Sequence, residues 1–97
     1  MVKLEKSIQW NIEKNNFLIQ ERGISFESIV IAIEKGKLIN SYPHPKIAHQ
    51  KIFEVELNDY IVVVPYVEDE DKIFFKTVFH SRKASKQYKK KKEKHHD

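Results

Sequence analysis

Apolar residues recur at two different spacings along this chain, and the change falls at Gly36. Between Asn11 and Gly36 the spacing is helical. Asn11 is placed to cap a helix over "IEKNNFLIQER", in which Ile12, Asn15/Asn16 and Ile19 mark one face, Leu18 broadens it, and Gly23 follows as a stop. Ser25 caps a second helix, where Phe26, Ile29, Val30 and Ile33 fall at i, i+3, i+4 and i+7 before Gly36 ends it. The two form a helical hairpin with one shared apolar side. A short extended segment, "IQW", precedes them.

Beyond Gly36 the period drops to two. "KLIN" reads as a short strand, and "SYPHPK", with its two prolines, as a loop. In "KIFEVEL", Phe53, Val55 and Leu57 face one way and Glu54 and Glu56 the other. "ND" at 58–59 is a hairpin signal leading into "YIVVVPYV", which is apolar on both faces and so reads as a central strand. Pro65 has no N–H to donate, so regular pairing should bulge or stop there. "EDED" is an acidic turn, "KIFFKTVF" the next strand, and "SRKASKQYKKKKEK" a helix that frays among its lysines. The expected fold is α+β: the helical hairpin and the C-terminal helix on one face of an antiparallel sheet of three to four strands. Residues 1–90 make one domain and 91–97 a basic, frayed tail.

Composition narrows the setting. A length of 97 residues is one domain's worth, and without cysteine there is neither a disulfide framework nor a thiolate zinc site. "MVKLEKSIQWN" has no apolar core of a signal peptide, and no apolar run is long enough to span a bilayer. A cytoplasmic protein without membrane contact is expected. The net charge of +4 is unevenly spread. Residues 82–97 hold eight Lys and Arg against Glu93 and Asp97, while the rest of the chain is slightly acidic. A polyanion or an acidic protein is the partner such asymmetry suits.

Strong catalytic motifs are missing: no Gly-rich phosphate loop, no HExxH, no GxSxG. His44, His49 and Glu54 fall short of the convergent donors that zinc needs, so neither metal nor cofactor is expected. Glu68 to Asp71 suit an exposed turn, and Trp10 and the phenylalanines suit a core. What remains is a set of cations and polar rings. His80 and Arg82 project from the same side of an extended segment, Tyr88 lies two turns into the last helix, Lys51 begins a strand, and Lys14 sits in the first helix. Metal-free RNA cleavage needs cations for the charge on the phosphorane and groups that move two protons. Arginine binds phosphate oxygens bidentately, lysine adds a point charge, and histidine titrates near neutrality.

Three motifs in register resemble the BrnT family of toxins from bacterial type II toxin–antitoxin systems. "IQWNIEK" is similar to that family's F-x-W-D-x-x-K, "QERGISFES" to K-H-G-[VI]-x-F-E, and "HSRKAS" to S-A-R-x-A-T. The resemblance runs from about residue 8 to 88. It implies a RelE/ParE-like fold, ribonuclease activity on RNA (mRNA included) that inhibits translation, and a cognate antitoxin through which the complex can bind operator DNA. Carried over by position, Lys14 and Arg82 take the family's lysine and arginine, Ala84 and Ser85 its A-T, and Lys51 the region of a strand-entering arginine. Asn11 stands for the family's Asp, Arg22 for its His, and His80 for its Ser. The expected catalytic set is Arg82, Lys51, His80 and Lys14, with His80 moving protons. Lys83, Lys86, Tyr88 and His49 are the expected RNA contacts. The alternative is a non-catalytic basic module that binds an acidic antitoxin or nucleic acid.

Overall fold

A computed structural model describes residues 6–94, with side chains up to 89. The elements are β1 (Ser7–Trp10), α1 (Ile12–Arg22), α2 (Phe26–Glu34), β2 (Leu38–Pro43), β3 (Lys51–Leu57), β4 (Tyr60–Glu68), β5 (Lys72–Phe75), β6 (Phe79–His80) and α3 (Arg82–Lys94). Local chemistry sets the helix ends as expected. The Asn11 side chain accepts from the Lys14 N–H, Gly23 adopts φ 66°, and the Ser25 hydroxyl accepts from the Ser28 N–H. The inward face of α1 differs from the expected one. Asn15 and Leu18 are buried, while Ile12 is 73% exposed and Ile19 is also exposed. Asn15 is inside because both ends of its amide are bonded: Oδ1 accepts from the Phe26 N–H and Nδ2 donates to Glu27, so one side chain fastens α1 to the first turn of α2.

The expected antiparallel sheet of three to four strands is corrected to a mixed sheet of six. Its order is β1-β5-β4-β3-β2, and β6 also pairs with β4. β1 lies parallel to β5, with Trp10 beside Phe75. β2 runs on to Pro43, so the loop after it is shorter than expected, at 44–50. The span expected as one strand, "KIFFKTVF", is two: β5 pairs with β4 at 66–68 and β6 at 62–63. Pro65 explains the gap. Its carbonyl accepts from the Lys76 N–H, so its own missing N–H faces the β5–β6 side. The β3–β4 ladder therefore runs unbroken from Leu57↔Tyr60 to Lys51↔Tyr66.

Register also separates the two faces. Phe53, Val55, Val62, Val64, Tyr66, Ile73 and Phe75 join Leu18, Phe26, Ile29 and Ile33 in one core under α1 and α2, and Trp10 stacks on Phe75 and packs at a tilt against Phe26. Glu54, Glu56 and Ile61 point the other way, and there α3 sits. The Tyr88 hydroxyl donates to Glu56, and Ala84 and Tyr88 line a small cavity with Ile61 and Glu54. The expectation of three helices on one face is thus corrected to helices on both. β4 requires this, because its alternate residues are buried on both sides. α3 continues to Lys94, so the expected tail begins within a helix, and 95–97 lie outside the described residues.

Candidate functional site

The segment "HSRKAS" builds a junction between sheet and helix. His80 ends β6 opposite Val62. The Ser81 hydroxyl then caps α3 by accepting from the Ala84 N–H, at 3.1 Å. Both backbone groups of Ile61 are clasped by the same segment: its carbonyl accepts from the Ser81 N–H, and its N–H donates to the Ser85 hydroxyl at 2.9 Å. Ser85 is buried, whereas Arg82 between the two serines is exposed. The serines thereby fix the first turn of α3 and leave the guanidinium at the surface.

Beside this turn lies an open groove of about 350 Å³ lined by Tyr60, Arg82, Ser85, Lys86 and Lys89. Arg82, Lys86 and Lys89 fall at i, i+4 and i+7, so one stripe of α3 forms its cationic wall. Tyr60 forms the other. The hairpin turn before it has φ 53° at Asn58 and 68° at Asp59, the backbone of a tight two-residue turn that matches strand twist. Its ring meets His80 edge-on at 5.7 Å between centroids, and the Lys89 ammonium sits 5.3 Å from the ring centre. Among the described residues, every ionisable side chain lining the groove is basic or phenolic, so their field favours anions.

The structure brings together part of the expected set. Arg82 and Lys86 line the groove, and His80 reaches it through its edge-on contact with Tyr60. Lys83 is exposed on α3 but does not line it. Tyr88 is half-buried, with its hydroxyl on Glu56 rather than in the groove. Lys51 is at the other end of the sheet, opposite Tyr66, about 13 Å along β4 from His80's partner Val62. There its ammonium binds Glu68 at 2.9 Å, and that contact holds it above its ordinary pKa. Lys14 stacks over Phe17 on α1. His49 is exposed in the 44–50 loop with φ 66°. In the same loop His44 Nδ1 accepts from the Lys46 and Ile47 N–H groups, and Glu54 accepts from Asn40 and Tyr42.

Two site residues escaped sequence reasoning. Tyr60 looked like the first residue of a strand, and only the pairing of β6 with β4 brings it to His80. Arg22 stands where the BrnT pattern has histidine, and its guanidinium donates to the Val78 carbonyl, two residues before His80. The single available signal was that "QERGISFES" and "HSRKAS" both belonged to one pattern.

The sequence pattern of a family described as a domain of unknown function, DUF4258, matches residues 18–80. The chain belongs to the DUF4258 family. The matched segment includes Tyr60 and His80 and stops before Arg82, Lys86 and Lys89, so the cationic stripe lies outside the DUF4258 match. No curated protein matches this DUF4258 chain. Among solved structures, a chain of the E. coli DinJ-YafQ toxin-antitoxin complex is similar to it over 79% of this chain and 93% of that one, at 14% identity and a TM-score of 0.46.

Proposed function

We propose that this DUF4258 protein is a BrnT-like toxin with a RelE/ParE-like fold that cleaves RNA and is neutralised by a cognate antitoxin. The observation that carries the reading is an open groove lined by Arg82, Lys86 and Lys89, with His80 against its Tyr60 wall, at the segment that resembles the BrnT closing motif. In the proposed reaction a ribose 2′-hydroxyl attacks its own phosphate. The O2′–P bond forms and the P–O5′ bond breaks, giving a 2′,3′-cyclic phosphate and a 5′-hydroxyl. Arg82 takes the equatorial phosphate oxygens as charge builds on them. His80 moves protons in this scheme, taking one from the 2′-hydroxyl or giving one to the departing 5′-oxygen. Lys86 and Lys89 hold the neighbouring phosphates, and Arg22 braces the backbone ahead of His80.

Lys51 and Lys14 take outlying roles in this reading: charges for RNA beyond the groove, or contacts for the antitoxin. The antitoxin is expected to cover the Arg82 face. Purified protein incubated with RNA in EDTA tests the proposal. Cleavage with cyclic-phosphate ends supports it, and intact RNA at enzyme in excess of substrate overturns it. Intact RNA that is nevertheless bound would leave the second reading, a non-catalytic basic module. One observation favours that reading: His80's ring partner is Tyr60, an aromatic edge rather than an orienting carboxylate.

A further inference from the structure

We propose that Tyr60 is a base-stacking residue that makes this groove select single-stranded RNA, an inference that rests on the RNA reading above. Three features of the ring carry it. It is 47% exposed although it stands at the start of the most buried strand. It is held by a turn with two positive-φ residues on one side and by edge-on contact with His80 on the other. It also shares the groove with Arg82, Lys86 and Lys89, so a nucleotide whose phosphate meets those cations has its base within reach of the ring.

In the free protein the Lys89 ammonium occupies the ring. A cation–π contact at an exposed site is equivalent to about two- to fivefold in an equilibrium. Stacking of one unpaired base on an aromatic ring is equivalent to about 5- to 150-fold in affinity. A base therefore displaces Lys89, and the released ammonium is free to meet a flanking phosphate. A base inside a duplex is already stacked on both faces and cannot make the exchange. The ring next to His80 thus reads strandedness, and it sets which nucleotide lies beside the scissile phosphate.

The test uses a fluorescein-labelled 2′-O-methyl RNA 12-mer, which cannot be cleaved, as a single strand and as a duplex, with inorganic polyphosphate as a base-free competitor. Tyr60→Leu should weaken single-strand binding at least fivefold while changing duplex and polyphosphate binding less than twofold. Tyr60→Phe, which keeps the ring, should stay within twofold of the parent throughout. Equal losses on all three ligands, or none on the single strand, overturn the proposal. Should Tyr60→Leu not fold, the parent protein still decides. The Tyr60 ring protons should move upfield on adding the single strand and stay put with polyphosphate; unmoved ring protons with the strand bound overturn the inference. Because the probe is uncleavable, a protein that stacks RNA without cutting any RNA would refute the ribonuclease reading alone.

Discussion

Replacing Ser85 by alanine removes one oxygen and tests how the last helix is held. The Ser85 hydroxyl accepts the Ile61 N–H at 2.9 Å, Ser85 is 5% exposed and Ile61 is 1% exposed. Water has no access to replace the lost acceptor, so the variant leaves a buried donor unsatisfied. Such a group costs about 1–3 kcal/mol. For a domain of this size each kcal/mol moves the midpoint by roughly 4–8 °C, so a mid-range loss of about 2 kcal/mol lowers Tm by about 8–16 °C. Circular dichroism melting reads the shift, and amide hydrogen exchange locates it at Ile61. Ser85→Thr keeps the hydroxyl and should recover most of the loss. A Ser85→Ala protein that melts within 2 °C of the parent, with Ile61 equally protected, would refute the clasp.

Other consequences follow from the same contacts. Asn15→Leu fills the space but strands the Phe26 N–H and frees Glu27, and should destabilise by about 1–3 kcal/mol in denaturant titration. Lys51, and after it Lys6, hold the Glu68 carboxyl below its ordinary value. Its contribution is therefore complete above the unfolded carboxylate range and is lost as pH falls through the lowered folded value. Being partly solvated, the network is worth at most about 1 kcal/mol, and a Glu68→Gln variant should show a correspondingly flatter acid limb in a stability–pH profile. Lys51→Gln should leave RNA cleavage within about threefold, since its charge lies near the far end of β4 and is already paired. Lys86→Gln should flatten the slope of log affinity against log salt for single strands by about 0.7, the share of one phosphate contact.

The helix ends were legible because each depends on a few adjacent residues: Asn11, Gly23 and Ser25 all act within one turn. The β3–β4 hairpin was legible for the same reason. What stayed hidden was set by distant partners. β1 reads as a strand, but nothing near "IQW" reveals that it lies parallel to β5, six elements away. Ile12 and Ile19 follow a helical period yet face outward, because the inward place goes to an amide that caps the next helix. The second helical face was foreshadowed in "YIVVVPYV": a strand apolar on both sides must be covered on both. Pro65 signalled a break correctly, while the side on which the break falls depends on which way its carbonyl points. In the site, His80 and Arg82 were legible as neighbours on one short segment. Tyr60 joins them only through sheet pairing, and Lys51, equally basic on paper, is carried away from them by the same sheet.

The groove beside Arg82 is proposed to perform chemistry on RNA. Single-turnover cleavage of RNA in EDTA by the parent and by Arg82→Ala, with melting curves on both, tests it most directly. Removing a charge stabiliser of the transition state lowers rates by about 10²–10³, and Arg82 is exposed with no structural partner among the described contacts of its side chain. The expected result is cleavage by the parent and at least 100-fold slower cleavage by an Arg82→Ala protein that melts at the parent's temperature. Equal rates for the two proteins, or no cleavage by the parent, would contradict the claim.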